Sequence, residues 1–413
     1  MPDTSFRIFD RLSMIFTFLM FSLAFGTMKV HAENTDSLKN SHFHIISLYG
    51  QYGKVLATNP YLKLAHEAGD TNIEYDAFSI QFLRQTTGEK EWEKQFGYPI
   101  YGAGIYTASF FDNKGFGAPI AFYGVLKGPF KRWQKLTINY DTGFGLAFNW
   151  NSYNPAANNF NISLGANETV FIDLGFNLKY PLGKHLDLSL GYSFTHFSNG
   201  ALKVPNFGLN TFSPKITLEY QLNRFVPTTY LGDKIQGSKK TTLELSFFSG
   251  VKNVVYTNYA GDSIPNYKGV YYPIYGVNTV INKQVTYKSR IGIGTSVIYD
   301  GSYNSLAYVD HGVLESPEGF QKGKLSLSIF PSYELVINRL SVVVQPGFYI
   351  FRIQSTDKKP LTYQRLGLHY LVSKNLFAGI CLHAYDYHVS DFIEWTLGYQ
   401  IDFSTNSNRQ AGK

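Results

Sequence analysis

The sequence predicts an all-β, antiparallel transmembrane β-barrel of about 14 to 16 strands, on three observations. Aromatic residues make up 17% of the 413 positions and charged residues only 16%, with 31 Tyr, 34 Phe and 37 Gly. Many segments of about ten residues alternate between apolar and polar side chains, as strands with one face in lipid do. No segment shows a convincing helical period of 3.6 residues. An eight-stranded barrel followed by further strands is the alternative arrangement.

The first 32 residues are predicted to be a cleaved signal peptide. Arg7 and Arg11 precede an apolar run over residues 14–26, which is too short for a transmembrane helix. Val30-His31-Ala32 then fits a small-residue cleavage site before Glu33. Export places a transmembrane barrel in the outer membrane. A soluble periplasmic β-sandwich would alternate similarly and remains an open alternative.

Charge and cysteine content restrict the classes of partner and cofactor. The formal net charge is +7, which fits a solvated surface with extra lysine; attraction to anionic phosphates at a membrane surface is the less favoured alternative. No basic cluster or nucleic-acid motif accompanies this charge, so no nucleic-acid partner is predicted. Cys381 is the only cysteine, which excludes a disulfide framework and a multi-cysteine metal site. No cofactor is predicted.

Residues 33–224 are predicted to hold about eight strands. The segment 86–95, TTGEKEWEKQ, is predicted to be a loop. Besides an opening strand from His42 and a hairpin at the end of the region, the alternating segments are 72–85, 99–111, 118–127, 136–150 and 170–180.

Residues 225–240, with Pro227 and two glycines, are predicted to form a joint between two regions. Alternation resumes over residues 241–403, which are predicted to add further barrel strands. The last strand is expected at 395–403, and its aromatic end resembles the terminal signal of outer-membrane barrels. Residues 404–413 are predicted to be a polar tail.

The hairpin over residues 184–222 carries the chemistry of interest. Leucine, tyrosine and phenylalanine occupy one face of both strands, and polar residues occupy the other. The same parity places His196, Ser198 and Asn210 on the apolar face. His196 and Ser198 are two positions apart, so their Cα atoms lie about 7 Å apart on one strand.

A serine beside a histidine is the minimum for an activated nucleophile that attacks an ester carbonyl. Asn210 is expected opposite His196 or one step away, where its amide oxygen can orient the imidazole. Amides near Asn199, Gly200 and Asn206 could stabilise an oxyanion. The alternative is that these polar residues only mark the edge of the membrane belt.

The run HFSNGALK over residues 196–203, followed by PNFGL over 205–209, resembles the PagL-type lipid A 3-O-deacylases, also known as acyloxyacyl hydrolases. The resemblance covers residues 42–222. It implies an outer-membrane barrel that acts on lipid A of lipopolysaccharide, without a metal or cofactor. It also implies that His196 is the base, Ser198 the nucleophile, and Asn199 and Asn206 part of the oxyanion region.

The sequence departs from this family at one position. The family's acidic triad member lies twelve positions after the serine, and that position is Asn210. Asparagine can orient a histidine but cannot stabilise an imidazolium by charge. Reduced activity, or a substitute carboxylate, is therefore expected, and Glu219 has the wrong parity for that role. A non-catalytic porin-like or structural barrel is the alternative function.

Polar residues near the C-terminus form a second candidate group. As metal ligands they are less favoured than as residues of a rim loop that leads into the last strand. In a weak alignment of the two halves, Asp386 and His388 fall opposite the histidine and serine of the hairpin, so no second active site is expected. The group consists of His383, His388, Asp391 and Glu394.

Overall fold

A computed structural model describes residues 43–59, 62, 74–110, 113–226, 240–255, 270–303, 322–352, 360–387 and 389–404. The predicted signal peptide, residues 227–239 of the predicted joint and nearly all of the predicted tail lie outside these ranges. In the described part of the chain, no helix is long and apolar enough to cross a membrane. The chain divides into two compact units, each built around one closed antiparallel barrel.

The first barrel has eight strands, and each strand pairs with its neighbours in chain order until β1 pairs with β8. A five-residue helix, α1 (Glu91–Gln95), lies in the predicted loop after β2, and a short helix, α2 (Asn113–Phe116), precedes β4. The strands are β1 (His44–Val55), β2 (Glu74–Gln85), β3 (Ile100–Phe110), β4 (Gly117–Arg132), β5 (Thr137–Trp150), β6 (Thr169–Pro181), β7 (Leu186–Ser198) and β8 (Leu209–Gln221).

The second barrel also has eight strands, and β16 pairs with β9 to close it. A short 3-10 helix, Lys322–Lys324, precedes β12. The strands are β9 (Lys240–Val254), β10 (Val270–Gln284), β11 (Ser289–Asp300), β12 (Leu325–Ile337), β13 (Leu340–Arg352), β14 (Thr362–Leu371), β15 (Leu376–Tyr385) and β16 (Val389–Ser404).

The all-β barrel class is confirmed, and the sixteen strands fall within the predicted number. The expectation that they close as one barrel is wrong, because β8 pairs back to β1 and β9 to β16. Alternation shows which face of a strand meets lipid, but it does not specify the strand at which the sheet closes. The alternative of an eight-stranded barrel plus further strands agrees better with the structure, in which the further strands form a second eight-stranded barrel.

Side chains on the strands alternate between the outer wall and the interior, as predicted for the hairpin over 184–222. On β8, Phe212, Ile216 and Tyr220 are exposed on the outer wall, whereas Ser213, Thr217 and Glu219 are buried. This is the side-chain pattern of a barrel whose outer wall contacts lipid.

Charged side chains fill part of the first barrel's interior. Lys215 Nζ lies 3.0 Å from Asp173 and 3.4 Å from Asp141, and it also packs over the ring of Tyr49. Buried charges are stable only when paired in this way.

A second charged cluster lies nearer the short-turn end of the first barrel. Glu219 accepts from Lys127 and Lys179, each at 2.8 Å, and Lys179 also lies 3.4 Å from Asp187. Glu219 is therefore inside the barrel, as its parity predicted, and cannot substitute for a triad acid on the outer wall. An eight-stranded barrel is just wide enough to be filled by such side chains.

Candidate active site

The predicted site residues meet where β7 ends and β8 begins. His196 on β7 is directly opposite Asn210 on β8 in the strand register. His196 and Asn210 are half-buried on the outer wall, and Ser198, which has the same parity, is only 6% exposed. The predicted juxtaposition of His196, Ser198 and Asn210 is thus present in the structure.

These three side chains form a continuous hydrogen-bonded chain. His196 Nε2 lies 3.0 Å from Ser198 Oγ, and His196 Nδ1 lies 2.6 Å from Asn210 Oδ1. An amide oxygen can only accept, so the proton of a neutral imidazole belongs on Nδ1. The lone pair of Nε2 then faces the serine hydroxyl, which is the arrangement that a general base requires.

Thr58 completes this arrangement, and sequence reasoning did not identify it. Asn210 Nδ2 donates to Thr58 Oγ1 at 3.0 Å, which fixes the amide with its oxygen towards His196. Thr58 follows β1 and is held there by backbone bonds: Leu56 N donates to Asn210 O, and Thr58 N donates to Leu56 O, both at 2.8 Å. Only the closure of β1 against β8 brings Thr58 to the site, and strand alternation gives no sign of that pairing.

Gly208 leaves the space that the imidazole occupies. Its φ is +75°, which side-chain-bearing residues rarely adopt, and a Cβ at this position would lie 3.0 Å from His196 Cε1. The sequence shows this glycine as part of the PNFGL run. Its steric role becomes visible only in the structure.

The predicted oxyanion residues lie in the loop that follows Ser198. Asn199 N donates to Asn206 Oδ1 at 3.0 Å, and Asn199 Nδ2 donates to Lys203 O at 2.7 Å. Gly200 has a φ of +61°. Asn206 Nδ2 is buried without a hydrogen-bond partner among the described residues, whereas the Asn199 amide hydrogen is already used. Asn206 is therefore a better candidate oxyanion donor than the Asn199 backbone.

Apolar and aromatic side chains continue the outer wall below this trio. Phe194 is opposite Phe212 across the β7–β8 pair, and Tyr192 stacks on Phe212 with ring centroids 5.4 Å apart. Phe176 stacks on Tyr192 in turn, at 6.1 Å. The polar trio therefore stands at the end of an aromatic band.

The rim-loop interpretation of the C-terminal polar group is wrong for three of its members. His383 lies in β15, and Asp391 and Glu394 lie in β16, which begins at Val389 rather than near Trp395. All three side chains are buried, and Glu394 accepts from Arg365 Nε at 2.5 Å. His388 lies outside the described residues.

The comparisons with known proteins give the family. A family model described as lipid A 3-O-deacylase (PagL) matches residues 76–219, and one described as acyloxyacyl hydrolase, C-terminal domain, matches residues 241–404. These ranges extend from β2 to β8 and from β9 to β16. No curated protein matches the chain.

Two solved structures illustrate the similarity at the level of coordinates. One is described as the crystal structure of the outer membrane enzyme PagL, at 17% identity, 43% of this chain, 98% of that chain and a TM-score of 0.26. The other is a double mutant of a porin from Rh. blastica, at 11% identity, 87% of this chain, 100% of that chain and a TM-score of 0.18. Scores this low carry no argument, so the assignment depends on the two family models. On that basis, the resemblance to the PagL-type lipid A 3-O-deacylase family is confirmed, through residues 76–219 and 241–404.

Proposed function

We propose that this protein is an outer-membrane esterase that removes an ester-linked acyl chain, at the 3 position, from lipid A of lipopolysaccharide. The observation that carries the proposal is the chain of hydrogen bonds from Ser198 through His196 to Asn210 on the outer wall of the first barrel. The description of the family supplies the substrate class. The predicted signal peptide over residues 1–32 would supply export.

Ser198 is the nucleophile in this proposal. Its Oγ attacks the acyl carbonyl carbon while His196 Nε2 takes the hydroxyl proton. The tetrahedral intermediate then collapses, the bond between the carbonyl carbon and the sugar oxygen breaks, and His196 returns the proton to that oxygen. Water, activated by the same histidine, hydrolyses the acyl-enzyme and releases a free fatty acid.

Asn210 and Thr58 position the base in this proposal. As His196 gains its second proton, Asn210 Oδ1 continues to accept from Nδ1, and Thr58 keeps that amide from rotating. The developing oxyanion would take hydrogen bonds from the loop that follows the nucleophile, with Asn206 Nδ2 as the leading donor. Gly200 contributes its backbone conformation to the same loop, and Asn199 holds the loop through its bonds to Asn206 and Lys203.

The orientation of the trio suits a substrate that already resides in the bilayer. An acyl chain that lies along the aromatic band on Tyr192 and Phe212 remains in an apolar environment up to its ester group. The ester then meets Ser198 at the strand end. A water-soluble ester would not partition into the bilayer and so would not reach a site on the lipid-facing wall of a membrane barrel.

The porin-like alternative has no comparable support. Both barrels are eight-stranded, and the described interior of the first is occupied by paired charges and aromatic rings. Barrels that conduct are wider, commonly with 16 to 18 strands.

The test is mass spectrometry of lipid A from cells that express the wild type, Ser198→Ala or Ser189→Ala. Ser189 lies on the same strand but faces the interior, so its variant is a matched control. We expect the wild type and the control to release a fatty acid and leave lipid A lighter by one acyl chain. We expect Ser198→Ala to fold equally well and to lose at least about a thousandfold in rate. Equal release by Ser198→Ala and the wild type would reject the proposed nucleophile.

A further inference from the structure

The interior of the second barrel contains a cluster of potential metal ligands that the esterase does not use. Glu244 on β9, Glu334 on β12 and His369 on β14 each offer one ligand atom, and these atoms lie within 4.8 Å of one another. All three side chains are buried, at 5%, 2% and 8% exposure. They are far apart in sequence, so they form no metal-binding motif of characteristic residue spacing.

The charges of the two carboxylates are only partly balanced by their described neighbours. Arg290 Nη1 lies 3.4 Å from Glu334 and 3.7 Å from Glu244, longer than the 2.7–2.9 Å of a strong charge-assisted bond. Its Nε donates to Gln284 at 3.0 Å, which holds the guanidinium to one side. The single positive charge of the Arg290 guanidinium is thus shared between the two buried carboxylates.

Asn282 provides an independent indication of a ligand at the same place. Its side chain is fully buried, and its Nδ2 points at both carboxylates, 2.7 Å from Glu334 and 3.3 Å from Glu244. Its Oδ1 has no hydrogen-bond partner among the described residues. Rotating the amide by half a turn directs Oδ1 at the carboxylates, where its lone pairs could coordinate a cation bound between them.

We infer that Glu244, Glu334 and His369, with Asn282 Oδ1 as a fourth ligand, bind one divalent transition-metal ion inside the second barrel. Carboxylate and amide oxygens combined with one imidazole nitrogen match Zn²⁺ or Mn²⁺ better than Mg²⁺ or Ca²⁺, which take oxygen ligands alone. Zinc-bound nitrogen and oxygen atoms lie about 2.0–2.2 Å from the metal, so the side chains must close in by up to about an ångström.

The surroundings hold the ligands in a defined arrangement. His369 stacks on Phe377 with ring centroids 4.7 Å apart, and its Nε2 lies 3.6 Å from Cys381 Sγ. Asn282 packs against Gly292, where any Cβ would lie 2.3 Å from Oδ1. The site lies where β10, β12 and β14 approach their short turns, so the ion would tie several strands together at that end of the barrel. The rival explanation, a proton shared between the two carboxylates, requires neither the histidine nor the asparagine.

The test uses the full chain folded in detergent, stripped with a chelator, incubated with Zn²⁺ or Mn²⁺ and desalted before elemental analysis. We expect about one ion per chain for the wild type and for His383→Gln, a matched control that removes another buried histidine of the same barrel. We expect His369→Gln to retain less than a tenth of an ion per chain. Added metal should raise the thermal unfolding midpoint of the wild type and His383→Gln, but not that of His369→Gln. Folded fractions are compared by circular dichroism.

Glu244→Asp is a second variant, in case His369→Gln does not fold. It keeps the charge and withdraws the carboxylate by one methylene, so affinity measured against a competing chelator should fall at least tenfold. A wild type that retains no metal after desalting would overturn the inference, as would equal affinities for the wild type and Glu244→Asp. The esterase proposal is unaffected by either result, because its His196, Ser198 and Asn210 lie on strands of the first barrel.

Discussion

Replacing Asn210 by aspartate tests the proposed catalytic chain most directly. The change keeps the size of the side chain and introduces a carboxylate opposite His196 Nδ1, which lies 2.6 Å from Asn210 Oδ1. Thr58 Oγ1 now accepts from the amide, and a hydroxyl can instead donate to a carboxylate, so the local geometry survives the change. What changes is the stabilisation of the imidazolium formed during attack.

The expected magnitude follows from the two kinds of hydrogen bond. A bond to a neutral acceptor contributes about 1 kcal/mol, whereas one to a charged group contributes about 1.5–3 kcal/mol. The difference, about 0.5 to 2 kcal/mol, applies only once the histidine is charged, so it lowers the barrier. Since 1.36 kcal/mol corresponds to tenfold, Asn210→Asp should raise kcat about tenfold. Asn210→Ala should lower it by a similar factor or more.

The assay is release of fatty acid from lipid A in mixed micelles by purified variants, with initial rates measured at saturating substrate. Asn139→Asp is the matched control. It introduces the same charge on β5, opposite Asn177 of β6, whereas the candidate site lies at the other end of β6, where Ile172 is opposite His196. It should leave the rate unchanged. If Asn210→Asp and Asn210→Ala both retain the wild-type rate, Asn210 does not orient the base, and the chain of residues proposed for catalysis is refuted.

Three further outcomes follow from the first barrel. Thr58→Val removes the bond that orients Asn210 and should lower kcat about tenfold, with Thr58→Ser restoring it. Gly208 has a φ of +75°, and a Cβ there would lie 3.0 Å from the His196 ring, so Gly208→Ala should cost about 1–2 kcal/mol of stability in denaturant unfolding. It should also lower the kcat of the folded fraction, because the added methyl group displaces the imidazole. Glu219→Gln removes the carboxylate partner of buried Lys127 and leaves half-buried Lys179 with Asp187 alone, so it should cost about 3–5 kcal/mol in urea unfolding from lipid vesicles, without a direct effect on the ester chemistry.

Much of the fold could be predicted because lipid imposes a period of two residues on every strand. The alternation on β8, for example, separates Phe212 and Ile216 on the outer wall from Ser213 and Thr217 inside, and the structure has the same separation. Closure could not be predicted, because it depends on which strand edges pair. The register that sets Ile45 opposite Gln221 belongs to a pairing across the whole first region, and no local pattern encodes it.

The site residues likewise fall into those that local strand pairing brings together and those that only barrel closure brings together. His196 and Ser198 are neighbours on one strand, and Asn210 is reached by one hairpin, so parity alone was enough to bring them together. Thr58 reaches Asn210 only through closure of the barrel. Glu244, Glu334 and His369 likewise meet through three separate strands of the second barrel, and a scan for ligand spacing along the chain has no means of finding them.

The size of the barrels determines where chemistry on a lipid can occur. Eight strands enclose an interior that side chains fill, and in the first barrel Lys215, Asp173 and Glu219 occupy that space as paired charges. A substrate with several acyl chains cannot enter such an interior. Its ester can be reached only from the outer wall, where strand parity otherwise provides apolar side chains for lipid. Ser198 and His196 interrupt that apolar surface at a strand end, next to the aromatic band, so in the proposed mechanism they combine access to lipid with a hydrogen-bonded base. The same two residues facing inward would be as well bonded and could not meet the substrate.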